Sequence, residues 1–237
     1  MKVSPLIWRL RQTRRGFTLT EVLTVVAVVG VLAALIVPVV ERMRLNSRSA
    51  AISHNLRQIY SGVILWGADN NNCFLPAKGA AIGSAYDWYW YGRKYTSDDT
   101  RFVTPLADYL NIPAKRDWRA INQLTISPLN RSSTSLPATS AYGYPYMVNY
   151  QVMIHGDGAG GASKKPVPFS RLGSPSRIVL MADSIANGSD WSMGRADPEA
   201  FATHISTPFN DRGHVLWADG HVTLEFPKDL TAEMIRF

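Results

Sequence analysis

The sequence has a single cysteine, Cys73, among its 237 residues, so it cannot form an internal disulfide. Small secreted domains that depend on disulfides carry several cysteines. The folded part of this chain must therefore be stabilised by a hydrophobic core. About 170 residues follow the long N-terminal helix predicted below, which is enough for one independently stable domain.

Acidic residues are absent from the first 20 positions. The formal net charge of the chain is +7, but without residues 1–16 the chain keeps 20 basic and 18 acidic residues, a net charge of +2. The basic character thus belongs mainly to a short leader, and no nucleic-acid partner is expected. The leader residues that carry this charge are Lys2, Arg9, Arg11, Arg14 and Arg15.

Charged residues are also absent from Phe17 to Val40, with the exception of Glu21. As a helix this run covers roughly 36 Å, which is enough to cross a bilayer core of about 30 Å. The pattern predicts a membrane span over 17–40, with the basic leader on the cytoplasmic side. A carboxylate inside such a span is a functional candidate, because it is costly to insert without a partner.

Two plainer interpretations of this N-terminus are an ordinary secretory signal and an uncleaved anchor. The apolar run is longer than a typical signal, and no clean small-x-small cleavage site follows it. A cut after Gly16 would instead create an α-ammonium on Phe17, one helical turn before Glu21 of the same chain or beside that of a neighbouring copy. Mutual neutralisation would offset the desolvation of both charges.

The stretch from Arg14 to Val40 resembles the class III signal of type IV pilins and type II secretion pseudopilins. The resemblance implies that a prepilin peptidase cuts between Gly16 and Phe17 and methylates the new N-terminus. It also implies that Glu21 guides subunit stacking and that Pro38 kinks the helix.

Beyond Pro38 an apolar stripe continues at steps of three and four residues, which predicts one helical face. We expect one long helix over 17–66 and a β-rich globular head over 67–237. The fold class is then α+β, with a spine helix packed on a small antiparallel sheet, as in pilins. The stripe consists of Ile52, Leu56, Ile59, Val63 and Trp66.

Gly67 and the run Asp69–Asn72 predict a turn after the helix, although acidic and amide side chains could also bind calcium. Further along, Ile178–Ala182 reads as a buried strand. Residues 215–218 and 221–226 predict a hairpin around Asp219-Gly220. The glycines of 155–161 have dinucleotide-motif spacing, but prolines rather than a helix follow, so a loop is expected.

The hairpin, together with residues 55–59 and 69–76, resembles large pilin-like families of planctomycete and verrucomicrobial type. Those families often end in a histidine that nine residues separate from an Asp-Gly pair. Here Phe209 occupies the histidine position relative to Asp219, so any role of that histidine does not carry over.

Two clusters leave binding functions open. The aromatic residues of 86–91 favour a core or inter-subunit surface, with a sugar or partner platform as the alternative. The late histidines could contribute to a metal or general-base site, with His214 and His221 meeting across the hairpin. We expect most of these histidines at the surface or at an interface. The two clusters are Tyr86, Trp88, Tyr89, Trp90 and Tyr91, and His204, His214, Asp219 and His221.

The sequence therefore predicts a filament subunit, a pilin or pseudopilin, without enzymatic activity, metal or cofactor. Its expected partners are a prepilin peptidase, other pilin or pseudopilin subunits, an inner-membrane assembly platform and membrane lipid. Its expected location is the inner membrane, in a single pass with a periplasmic head, or a filament assembled from there. The alternatives are a membrane-anchored periplasmic protein that binds a glycan or protein, and a metal-dependent hydrolase.

Overall fold

The computed structural model describes residues 18–76, 78–80, 87–89, 105–111, 124, 128, 146–149, 151–153, 166–184 and 205–235. The chain divides into two compact units, Met1–Arg44 and Leu45–Phe237. Gly16 and Phe17, and therefore the predicted cleavage site, lie outside the described residues, as do His204 and the glycine-rich run 155–161.

Helix α1 runs from Leu19 to Asp69, close to the predicted range of 17–66. It continues through Pro38, and a kink at this proline stays a prediction. The amides of Asn70 and Asn72 both bond to the carbonyl of Gly67, which satisfies an acceptor that the last helical turn leaves free. The helix therefore ends in a short turn, as predicted.

In the second unit, one stripe of α1 forms the centre of the hydrophobic core. The side chains of Ile52, Leu56, Ile59 and Val63 are fully buried, and Trp66 packs against them while partly exposed. The predicted helical face is confirmed. Burial of a large aliphatic side chain contributes about 1.5–3 kcal/mol, so this stripe is a main stabilising element of the unit.

Four antiparallel strands form the larger sheet of the described residues, and each pairs with the next strand along the chain. The hairpin turn at Asp219-Gly220 is confirmed: Gly220 has φ 93°, and a β-carbon there would collide with the ring of Tyr60. The buried strand predicted over 178–182 is also confirmed. The strands are β3 Met147–Val148, β4 Val179–Ala182, β5 Gly213–Trp217 and β6 Val222–Glu225.

The two faces of this sheet are covered by different parts of the chain. Met181 and Leu216 belong to the core that contains the α1 stripe. On the opposite face, Val215 packs with Leu230 and Ile235 of the C-terminal segment. The C-terminal segment thus completes a second core that the α1 side chains do not enter.

Asn149 ties the C-terminal segment to the sheet. Its side-chain amide donates to the carbonyls of Val179 at 2.8 Å and Ile235 at 3.0 Å, and its oxygen accepts the N–H of Gln151 at 2.9 Å. A fully buried amide is stable only when its polar atoms are bonded in this way.

A separate two-stranded hairpin pairs β1 Lys78–Ala80 with β2 Asp87–Tyr89. Within the aromatic run 86–91, the structure describes the backbone of residues 87–89. The two interpretations of that run therefore stay predictions. The long helix and the small antiparallel sheet give an α+β, pilin-like layout, as the sequence predicted.

Candidate functional site

The first turn of α1 is closed by a reciprocal pair of contacts between Thr18 and Glu21. The Thr18 N–H donates to Glu21 Oε2 at 2.8 Å, and the Thr18 hydroxyl donates to the same oxygen at 2.9 Å. In return, the hydroxyl oxygen lies 3.3 Å from the Glu21 N–H. This is a capping box, in which two N-terminal amides that lack helical partners are satisfied.

The capping box gives Glu21 a local role that the sequence analysis missed. The pattern Thr18-Leu19-Thr20-Glu21 before an apolar run is itself the signal for this motif. A carboxylate at a helix N-terminus is also favoured by the helix dipole. Glu21 is therefore partnered within its own chain, and this arrangement reduces the number of its lone pairs that need an external donor.

The helix beyond Glu21 presents apolar side chains in all directions. From Val22 to Val40 every residue is exposed in the first unit, and none is charged. Val25, Leu32 and Leu35 are 60, 53 and 65% exposed. Such a surface is unfavourable in water and needs an apolar environment around the whole helix.

Among the described residues, α1 is the one helix long and apolar enough to cross a membrane, judged by its length and composition. This fits a single-pass anchor of the kind typical of pilins. Glu21 lies two residues from the start of the helix, close to one end of the predicted span. Insertion of a charged group costs less there than at the bilayer centre.

In a comparison with protein families, residues 11–37 fit the model of the prokaryotic N-terminal methylation motif. The chain carries a prepilin-type N-terminus. The matched range includes Gly16, Phe17 and Glu21 and ends one residue before Pro38. The motif implies processing by a prepilin peptidase and assembly with other pilin subunits.

The match covers the N-terminal segment and not the head. Neither the curated proteins nor the solved structures include a match to the chain. The prepilin-type motif and the long apolar helix support a type IV pilin-like protein.

The late histidines do not come together as expected. The hairpin register places His214 opposite Leu224, whereas the His221 carbonyl accepts the Trp217 N–H. The expectation that His214 and His221 meet across the hairpin is wrong, because they belong to different rungs of the ladder. His214 is also buried rather than exposed, since its strand is covered on both faces.

At the turn, His221 and Asp219 form a pair on the surface. Asp219 Oδ1 bonds to both the backbone N–H and Nδ1 of His221, and the imidazole stacks on the indole of Trp217 at 5.4 Å between centroids. Asp219 thus stabilises the turn itself. Within the described ranges, no three His, Cys, Asp or Glu residues gather in a metal-binding arrangement.

Proposed function

We propose that the chain is a structural subunit of a type IV pilus or a type II secretion filament, and that its role is not enzymatic. The observation that carries this proposal is the methylation motif of residues 11–37, which from Leu19 onward lies on a helix whose apolar surface is exposed on all sides. A helix of this kind exchanges lipid contact for contact with like helices without entering water.

In this proposal the leader is removed after Gly16, Phe17 is methylated and residues 17–40 hold the subunit in the inner membrane with a periplasmic head. An assembly platform then transfers the subunit to the filament. Glu21 selects the axial register by accepting the ammonium of a neighbouring Phe17, because an ionic pair in an apolar bundle discriminates strongly against misaligned neighbours. The Thr18 contacts hold the carboxylate at the helix end until then.

The test is mass spectrometry of the protein extracted from membranes, for the natural sequence and for a Gly16→Leu variant. The natural protein should begin at Phe17 and carry one N-methyl group. Gly16→Leu should accumulate as the full-length precursor, because a bulky side chain at the cleavage position does not fit a peptidase site that accepts glycine.

Gly30→Leu is the matched control, since a β-carbon at Gly30 has no atom within 4 Å in the described structure. It should be processed normally. A natural protein that begins at Met1, or near Ser47 after ordinary signal cleavage, contradicts the proposal. Normal processing of Gly16→Leu would show that the cleavage position is assigned wrongly.

A further inference from the structure

His214 is a buried imidazole on the face of the sheet that packs against α1. Side chains alternate along a strand, so His214 shares its face with Leu216, and Leu216 belongs to the core that contains the α1 stripe. The side chain of His214 is 1% exposed. A buried polar group of this kind is expected to serve a particular contact.

That contact is with Ser49 of α1. Ser49 Oγ lies 2.9 Å from His214 Nε2, and the two residues are 165 positions apart in the chain. Nδ1 of the same ring has no hydrogen-bond partner among the described residues. The ring edge is packed against Phe209, with centroids 4.9 Å apart and planes nearly perpendicular.

Among the described residues, the titratable neighbour of His214 on the adjacent strand is Asp183, which directly follows β4. Asp183 is fully buried, and its N–H donates to the His214 carbonyl at 3.0 Å. Leu224 of β6 lies opposite His214 and is apolar. Directly before the strand of His214, the guanidinium of Arg212 lies over the ring of Phe226 at 4.4 Å.

We propose that the Ser49–His214 hydrogen bond is an acid-sensitive clamp between α1 and the sheet, closed while the imidazole is neutral and weakened when it is protonated. In either neutral tautomer, Nε2 bonds to the Ser49 hydroxyl, as acceptor or as donor. Protonation keeps an Nε2–H that can still donate to Ser49, but it adds a charged Nδ1–H that has no acceptor among the described residues. The charged, buried ring therefore favours the open clamp, in which water solvates it.

The position of the clamp gives it a mechanical consequence. Within Leu45–Phe237, Ser49 is the first residue of α1 that is not exposed, and the buried stripe begins at Ile52. Opening the clamp therefore releases the beginning of the packed helix first. The residues beyond it keep their own apolar contacts with the core.

The sign of the pH effect follows from burial. Desolvation lowers the pKa of His214 to about 4 from its ordinary value of 6.5. The unfolded chain therefore takes up a proton before the folded chain does, and stability declines as the pH falls from about 6.5 towards 4. Between about pH 7.5 and pH 5 the unfolding constant should rise about thirty-fold through this group.

The experiment uses the full chain in detergent micelles, with urea unfolding at both pH values and hydrogen exchange of α1 corrected for intrinsic rates. His214→Asn should remove the thirty-fold difference. His54→Asn is the matched control, because His54 is an exposed histidine on the same helix, and it should behave as the natural chain. In the natural chain, acid should raise exchange at residues 49–52 more than at 59–63.

Ser49→Ala should raise exchange at 49–52 already at about pH 7.5, which a histidine with only a packing role would not produce. The proposal is overturned if His214→Asn keeps the acid dependence, or if acid raises exchange equally along the packed helix. Should His214→Asn fail to fold, ring resonances of the natural chain decide: His214 must stay neutral at about pH 5.5, and protonation there overturns the clamp.

Discussion

The two parts of helix α1 are both rich in apolar residues but arrange them differently. In Leu45–Asp69 these residues form one stripe, and Ile52, Leu56 and Ile59 are fully buried by the same chain. In Leu19–Arg44 they point in every direction and stay exposed. A stripe needs one packing partner, whereas an all-round apolar surface needs an apolar environment on every side.

This difference separates folding from membrane insertion. The packed part contributes to the stability of the head, because its side chains leave water when the head folds. The exposed part gains nothing from the folding of its own unit, so its apolar surface is available to lipid or to copies of the same helix. Mutations in the two parts should therefore affect different measurements.

The largest effect on stability should come from truncating a leucine in the packed part of α1, and the same change in the exposed part is its control. Leu56→Ala should lower the free energy of unfolding of the head by about 2–5 kcal/mol, because it leaves a cavity in a filled core. Leu32→Ala, the same change on the exposed part, should leave that value within about 0.5 kcal/mol. Urea unfolding of the full chain in micelles measures both, and equal losses would contradict the separation.

An added positive charge should impair membrane insertion when it lies in the exposed part of α1 and not when it lies in the packed part. Val29→Arg should weaken insertion by about 2.5–3.5 kcal/mol, since Val29 lies near the middle of the predicted span. Gln58→Arg places the same charge on an exposed position of the packed part and should leave insertion unchanged. Carbonate extraction of membranes reports the inserted fraction, and full retention of Val29→Arg would exclude a membrane span.

Glu21 tests whether the carboxylate serves insertion or assembly. Glu21→Ala should preserve or improve insertion, by less than about 2.5–3.5 kcal/mol because Glu21 lies near the helix end. It should also lower the yield of sheared filaments, because the ammonium of a neighbouring Phe17 would lose its partner. Thr18→Val removes the hydroxyl of the capping box but keeps the carboxylate, and it should retain assembly. Unchanged filament yield in Glu21→Ala would refute the register role.

The smallest expected effect concerns single hydroxyl groups. Tyr60→Phe should cost about 0.5–1.5 kcal/mol of head stability, because the Tyr60 hydroxyl donates to the Ala218 carbonyl at 3.2 Å. Thr24→Val removes a hydroxyl that bonds only to α1 carbonyls, those of Thr20 and Glu21. The midpoint of thermal unfolding should fall for Tyr60→Phe and stay unchanged for Thr24→Val. An equal fall for Thr24→Val would contradict the separation of head stability from the exposed part of α1.

Local patterns predicted those features that depend on neighbouring residues. Residue spacing predicted the membrane-length helix of 17–40, the buried stripe from Ile52 to Val63 and the Asp219-Gly220 turn. The capping box between Thr18 and Glu21 also follows from a local pattern, a threonine with a glutamate three residues later before an apolar run, although the sequence analysis did not predict it.

The sequence by itself determined the N-terminal segment. A helix that is apolar on all sides needs an apolar environment, and this need does not depend on how the head folds. The tertiary structure decided the surroundings of His214, the cover of the second sheet face by Leu230 and Ile235, and the separation of His214 from His221. The physical reason is that these contacts join residues far apart in the chain. Their geometry depends on strand order and register, which no local spacing specifies.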